Sequence, residues 1–237
     1  MTIYENILQA KAKNEKLLAI LIDPEKVTVE DAIILAEKIK NSPATHIFVG
    51  GSTFSGSHLG KLISVLKQKT NLPTLIFPGH PLQISEEADG ILFLSLLSGR
   101  NPDYLIEQQI NSVRILEQTN LEVIPTAYLL IDGGKETAVQ SVSQTKPIAH
   151  SDIELAYRTA KAGELLGMKL IYLEAGSGAN QNVSLEMIKY ITENCKIPVI
   201  VGGGIRSMQT IQQVYDSGAD LVVIGTAFEN DSNFFKE

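Results

Sequence analysis

The feature that most constrains this fold is an alternation of short apolar runs with longer amphipathic stretches along the whole chain. A short apolar run is typical of a strand buried on both faces, whereas the longer stretches have the periodicity of surface helices. Eight such runs occur, at residues 17–23, 46–49, 73–77, 90–94, 122–130, 169–174, 198–201 and 220–224. The pattern predicts repeated βα units around a parallel sheet.

Eight units in 237 residues match a (β/α)8 TIM barrel better than an open doubly wound sheet, and no GxGxxG sequence follows the first run. Because no linker or shift in composition divides the chain, we predict one domain over residues 1–237. A segment at 131–151 fits neither pattern and is expected to be a functional or mobile loop on the catalytic face. Helices are predicted at 29–40, 58–69, 102–118, 152–166, 184–194 and 207–217, with a closing turn after Thr226, whereas the 83–88 connection is short for a helix.

Charge and cysteine content exclude several classes of protein. With 20 basic and 27 acidic residues the net charge is -7, which argues against nucleic-acid binding and against an anionic membrane surface. The single cysteine, Cys195, cannot form an internal disulfide, so a reducing cytoplasm is expected. Residues 1–20 carry five charges and contain no long apolar stretch, so no stable membrane insertion is predicted.

Glycines cluster after three successive predicted strands, in the sequences EAGSG, VGGG and GT. In a TIM barrel the active site lies at the carboxyl ends of the strands, and phosphate commonly binds after the seventh and eighth. Glycine allows backbone N–H groups to approach an anion closely. A single loop of this kind is more often a tight turn, but three adjacent loops favour a phosphate site.

Two carboxylates follow predicted strands at the same end of the barrel. Asp23 ends the first run, and Ser52 and Thr53 follow the second, so their oxygens suit a Mg²⁺ ion that shares the phosphate oxygens of a substrate. Asp23 as a turn former before proline, with Ser52 as a helix cap, is an equally open interpretation. Glu174 ends the sixth run beside the predicted phosphate site, where a base for a hydroxyl group would be useful.

An ordered set of motifs carries a family resemblance: LIDPEK, VGGST, FPG followed by QIS, AYLLI, YLEAGSGA, VGGGIRS and VIGTAFE. From Leu17 to about Glu229 the chain resembles the geranylgeranylglyceryl phosphate synthases and their bacterial relatives. The resemblance implies a modified TIM barrel and a prenyltransferase. Such an enzyme joins sn-glycerol 1-phosphate to a polyprenyl diphosphate, usually geranylgeranyl diphosphate, through an ether bond, releases diphosphate and needs Mg²⁺.

The resemblance also implies site residues. It assigns Glu174 as the acceptor of the glycerol hydroxyl proton, Tyr128 as its catalytic neighbour, and Asp23 and Ser52 as the Mg²⁺ position, with the Thr53 hydroxyl adjacent. The YLEAGSGA form resembles the larger subgroup, which implies a homo-oligomer and, in that branch, a hexamer. The implied glycerol phosphate site comprises Tyr172, Leu173, Glu174, Ala175, Gly176, Ser177, Gly178, Gly203, Gly204, Gly225 and Thr226.

Two other functions use the same glycine-rich loops. A sugar-phosphate isomerase or aldolase would need a second acid or base at another strand end, and the carboxylates placed at the mouth are Asp23 and Glu174. A non-enzymatic phosphate-binding protein needs only the glycines and leaves Glu174 unexplained. A prenyl chain requires an apolar groove, whose floor the sequence does not locate.

Overall fold

The computed structural model describes residues 1–51, 58–230, 234 and 235. Eight parallel strands pair in chain order and close between the first and the last, which confirms the predicted barrel. Their ends lie within two residues of the predicted ones. The strands are β1 (Leu17–Ile22), β2 (His46–Val49), β3 (Thr74–Ile76), β4 (Gly90–Leu96), β5 (Glu122–Leu130), β6 (Leu170–Glu174), β7 (Val199–Gly202) and β8 (Leu221–Ile224).

The helices surround the barrel and start close to the predicted positions because their N-caps are encoded locally. Thr28, Ser184 and Ser207 each accept a hydrogen bond from the backbone N–H three residues later. Within the described ranges, no helix is both long and apolar enough to cross a membrane. The helices are α1 (Ile3–Ala12), α2 (Val29–Lys40), α3 (Leu59–Thr70), α4 (Gln108–Leu116), α5 (Ala138–Ser143), α6 (Ile153–Leu165), α7 (Leu185–Asn194), α8 (Met208–Asp216) and α9 (Thr226–Asn230).

The barrel departs from the regular pattern after β3, where a 3₁₀ turn at Pro81–Gln83 takes the place of a helix. Pro78, Gly79 and Pro81 lie in this connection, and prolines and glycine oppose a continuous helix. On the other side of β4, the predicted helix at 102–118 begins as a π-helical turn at Asp103–Glu107 before α4. The missing helix leaves the outer flank of β3 and β4 open.

Helix α1 closes the amino-terminal end of the barrel, which the sequence analysis did not predict. Ile3 and Ile7 pack into the barrel interior, and the Glu122 carboxylate accepts hydrogen bonds from the backbone N–H groups of the first helical turn, at 2.9 Å for Tyr4. Lys11 forms an ion pair of 2.9 Å with Asp220 at the start of β8.

Side chains of each strand alternate between two hydrophobic cores. In β6, Leu170 and Tyr172 face the barrel interior, whereas Ile171 and Leu173 pack outward against the helices. This period of two places Glu174, the last residue of β6, on the inner side at the carboxyl end of the barrel. The barrel therefore directs a carboxylate into its mouth.

The segment at 131–151 contains a strand-like pairing and a short helix. Ile131 pairs with Ile148, and the short helix α5 lies between them with Thr137 as its N-cap. Its placement on the catalytic face agrees with the prediction, because Thr137 and Val139 line the cavity at the carboxyl ends of the strands.

Candidate active site

A cavity of about 560 Å³ opens at the carboxyl ends of the strands and collects most of the predicted site residues. Tyr172 lies fully buried beneath it, and Leu173 and Ala175 pack on the outer side of the barrel. Ser52 and Thr53 are outside the described residues. The predicted residues that line the cavity are Asp23, Tyr128, Glu174, Gly176, Ser177, Gly178, Gly203, Gly204, Gly225 and Thr226.

Glu174 is the most strongly perturbed carboxylate in the cavity. Only 6% of its surface is exposed, and its Oε1 accepts a hydrogen bond of 2.6 Å from the Gly176 backbone N–H. Burial raises the pKa of Glu174 to about 7, although the Gly176 N–H and the nearby Tyr172 hydroxyl stabilise its charged form. A carboxyl group with this pKa exchanges a proton readily near neutral pH.

The VGGG sequence leaves space for this carboxylate. Gly202 is the strand partner of Glu174, and a Cβ on it would lie 2.7 Å from both Glu174 Oε2 and the Tyr172 hydroxyl. Gly203 has a φ of 83°, and its Cβ would lie 2.5 Å from Glu174 Oε1. These glycines therefore leave room for the side chains of β6, in addition to the predicted close approach of a phosphate to their backbone.

Three aromatic rings lie together below the mouth. The Phe77 ring centroid is 5.3 Å from that of Tyr172 and 5.8 Å from that of Tyr128, and the two tyrosine rings are 5.4 Å apart. Burial, together with the Glu174 carboxylate, raises the pKa of both tyrosines, so their hydroxyls stay neutral. The buried Tyr172 hydroxyl lies beside the Glu174 carboxylate and favours its charged form.

The loops after β6, β7 and β8 form one connected surface. Ser177 Oγ lies 3.2 Å from Thr226 Oγ1, which joins the first loop to the last. The Arg206 guanidinium donates hydrogen bonds to the carbonyl groups of Gly178 and Ala179 and so holds the β6 loop against the β7 loop. A small anion at this surface would meet backbone N–H groups, two hydroxyls and a nearby guanidinium.

Asp23 follows β1, the strand that pairs with β8, and lines the same cavity beside this surface. Its Oδ1 accepts a hydrogen bond of 3.0 Å from the Glu25 backbone N–H, and its Oδ2 is 3.1 Å from Lys26 Nζ. The described residues contain no cluster of three or more histidine, cysteine, aspartate or glutamate side chains that could hold a metal. One half-exposed carboxylate fits a Mg²⁺ that keeps water and shares substrate oxygens, rather than a fully protein-bound ion.

An apolar groove adjoins the cavity on the flank left open by the missing helix. It runs between the 3₁₀ turn, β4, α4 and α5, and at its α5 end the Tyr104 hydroxyl donates a hydrogen bond of 3.2 Å to the Val142 carbonyl. Gly51, Phe77, Tyr128 and Val139 line both the groove and the polar cavity. The cavity and the groove therefore form one continuous surface, along which an amphiphilic substrate with a charged head and an apolar tail could bind.

Comparison with known proteins decides the family. The PcrB family model matches residues 10–237. The chain is 61% identical to a geranylgeranylglyceryl phosphate synthase of Flavobacterium johnsoniae, over 99% of this chain and 96% of the relative, and 41% identical to one of Picrophilus torridus, over 100% and 96%. This chain belongs to the PcrB family. The predicted resemblance to the geranylgeranylglyceryl phosphate synthases and the predicted enzyme class, a prenyltransferase, are thereby confirmed.

Solved structures of the PcrB relatives have the same fold. The synthase of Thermoplasma acidophilum, in complex with sn-glycerol-1-phosphate, superposes with a TM-score of 0.94 at 35% identity, covering 100% of this chain and 95% of that one. The Thermoplasma volcanium enzyme gives 0.91 at 35% identity, covering 98% and 92%. The alternatives of a sugar-phosphate isomerase, an aldolase or a binding protein lose their support.

Sequence reasoning missed several residues of this PcrB site. Phe77 and Val139 stand at the junction of cavity and groove, and Arg206 holds two loops together. For Phe77 a signal existed, because it directly follows the third strand within the FPG sequence. Val139 lies in the segment that fitted neither pattern and could not have been placed.

Proposed function

We propose that this PcrB protein transfers a prenyl group, such as geranylgeranyl, from its diphosphate to the 3-hydroxyl of sn-glycerol 1-phosphate. The observation that carries the proposal is the buried Glu174, which lies between loops suited to a phosphate and a junction that opens into an apolar groove. Similarity to synthases that include one solved with sn-glycerol-1-phosphate supports this substrate.

Glycerol phosphate would bind with its phosphate on the loops after β6, β7 and β8. Ser177 and Thr226 would offer hydroxyl donors, and the backbone N–H groups of Ser177, Gly178, Gly203, Gly204 and Gly225 would surround the anion. The glycerol chain then points toward Glu174, and the Tyr172 hydroxyl lies beside that carboxylate.

In the proposed mechanism Glu174 acts as the general base. With a pKa of about 7, a substantial fraction of the carboxylate is charged at neutral pH and can accept the proton of the attacking hydroxyl. The Gly176 N–H hydrogen bond fixes the orientation of the carboxylate, and Tyr128 forms the adjacent wall. The prenyl chain lies in the groove, which excludes water from the carbon under attack.

Asp23 is proposed to hold Mg²⁺, with the Ser52 hydroxyl as a further ligand. The half-exposed carboxylate, paired with the displaceable ammonium of Lys26, suits a hard cation that keeps water. When bound, Mg²⁺ neutralises the charge of the departing diphosphate. Lys26 lies close enough to Asp23 to contribute positive charge at the same place.

The protein is further proposed to be cytoplasmic and to form a homo-oligomer, up to a hexamer. Several large apolar side chains on the outer helices are exposed, among them Ile34 at 75% and Leu165 at 79%. Surfaces of this kind commonly become buried between subunits.

A transfer assay tests the proposed function. Radiolabelled sn-glycerol 1-phosphate is incubated with Mg²⁺ and prenyl diphosphates of several lengths, and organic extraction measures the ether product. We expect a labelled lipid and an equal amount of diphosphate. The enantiomeric sn-glycerol 3-phosphate serves as the control acceptor. Absence of product with every prenyl diphosphate would overturn the proposal.

A further inference from the structure

The polar cavity and the apolar groove meet at one place, around Phe77. This residue lines both spaces, together with Gly51, Tyr128 and Val139. In a prenyl diphosphate the carbon that reacts is the one that joins the apolar chain to the charged head. With the chain in the groove and the head in the cavity, that carbon must lie at this junction.

Phe77 is the most accessible of the three rings at the junction. Tyr172 is fully buried, and Tyr128, which also lines both spaces, is only 4% exposed, whereas Phe77 is half-buried. The two tyrosine rings pack behind it at centroid distances of 5.3 and 5.8 Å. A group at the junction therefore meets the Phe77 ring before either tyrosine.

The backbone holds this ring in a defined position. Phe77 directly follows β3, and its N–H donates a hydrogen bond of 2.9 Å to the Val49 carbonyl of β2. Its own carbonyl passes so close to Gly50 that a Cβ there would lie 1.8 Å away. Pro78 comes next and restricts Phe77 to extended backbone angles. A reaction depends on a fixed ring position more than the binding of a flexible lipid chain does.

We propose that the Phe77 ring stabilises the positive charge that develops on the prenyl carbons during transfer, and this inference rests on the proposed function. As the bond between C1 and the diphosphate oxygen breaks, its electron pair leaves with diphosphate, and the charge spreads over C1 and C3. The glycerol oxygen then bonds to C1, and its proton passes to Glu174. An aromatic face attracts a cation within about 6 Å of its centroid, most strongly where water is excluded.

Fluorinated phenylalanines at position 77 test the proposal with almost no change of shape. One, two or three fluorines withdraw electron density from the ring face step by step. We expect the single-turnover rate of ether formation to fall progressively, by roughly 3- to 30-fold over the series. The KM for the prenyl diphosphate should change little. Phe77→Leu, which keeps an apolar side chain, should be as slow as the trifluoro variant.

Phe93 supplies the matched control, because it lines the apolar groove but not the polar cavity. The same fluorinated series at position 93 should leave the rate flat. A flat series at position 77, or equal slopes at both positions, would overturn the proposal and leave Phe77 as a structural wall.

The wild-type enzyme separates this result from the proposed function. If it transfers no prenyl group in the same assay, the proposed function fails and the inference falls with it. If the wild type is active and the position-77 series is flat, only the role of Phe77 is lost.

Discussion

Glu174 combines two properties that conflict in a protein built only for stability: it is a carboxylate, and it is buried beside a surface suited to an anion. We expect Glu174→Gln to lower kcat by about a hundred- to ten-thousandfold, with KM for both substrates nearly unchanged. Glutamine keeps an oxygen that can accept the Gly176 hydrogen bond, so the loop should stay in place. Steady-state kinetics of the purified variant measures the effect.

The pH profile gives the control for this variant. Because the carboxylate must be charged to act as a base and its pKa is about 7, wild-type kcat/KM should rise with pH and level off above pH 7. That acidic limb should vanish in Glu174→Gln. A tenfold loss or less, or a limb that persists, would assign proton removal to another group.

At Asp23 the expected effect concerns the metal. Asp23→Asn keeps an oxygen but removes its charge, so the Mg²⁺ concentration for half-maximal rate should rise by roughly tenfold. Asp132→Asn is the matched control, since Asp132 also follows a strand but does not line the cavity. Rates are measured across a Mg²⁺ titration with glycerol phosphate saturating. If the Mg²⁺ concentration for half-maximal rate were unchanged from wild type, Asp23 would be a turn residue and not a Mg²⁺ ligand.

Among the elements, the strands and most helix starts could be predicted because their signals are local. Apolar runs mark β1 to β8, and residues such as Thr28 and Ser184 cap the helices that follow them. Helix α1 was missed although Ile3, Ile7 and Ala10 form one apolar face, since its target, the floor of the barrel, exists only after the barrel closes.

For the active site, the sequence predicted which loops meet but not what their glycines contact. The VGGG run indicated a phosphate site, whereas the structure adds that Gly202 and Gly203 accommodate Glu174. Phe77 and Val139 line the groove that is present because the connection after β3 is not a full helix. The groove forms between segments that are distant in the sequence, so the sequence did not indicate these two residues.

The β7 loop therefore allows a comparison of two glycines. Gly203 and Gly167 have similar φ angles, 83° and 90°, but a Cβ on Gly203 would meet Glu174 whereas nothing lies within 4 Å of one on Gly167. Gly167→Ala should cost about 1 to 2 kcal/mol of stability and leave kcat unchanged. Gly203→Ala should cost more and lower kcat, because it displaces the carboxylate. Thermal unfolding and steady-state kinetics test both, and equal behaviour would contradict the packing role.

Across the whole molecule, exposed apolar side chains predict self-association. Ile106, Ile110 and Val113 follow one another at helical spacing and are each 44% or more exposed. We expect light scattering to give a mass several times 25.8 kDa. Ile106→Glu with Ile110→Glu should lower that mass if this face is an interface. A wild-type mass of 25.8 kDa at micromolar concentration would contradict self-association.

The stability of the whole fold should depend on pH through two buried groups that act in opposite directions. Burial lowers the pKa of His46 to about 4, so the unfolded chain binds its proton first and stability falls as pH drops from about 6.5 to 4. Glu174, with a pKa raised to about 7, binds its proton more tightly when folded, so its contribution to stability is lost as pH rises from about 4.5 to 7.

Glu174→Gln separates the two effects. The difference in unfolding free energy between variant and wild type should be nearly constant below pH 4.5 and should grow in favour of the variant up to pH 7. Above pH 7 it should level off about 3 kcal/mol higher, because a shift of one pKa unit corresponds to about 1.4 kcal/mol. Urea unfolding at a series of pH values measures this difference. A difference independent of pH would mean that Glu174 has the same pKa in the folded and unfolded chains. Burial of its charged form would then not lower the stability of the fold.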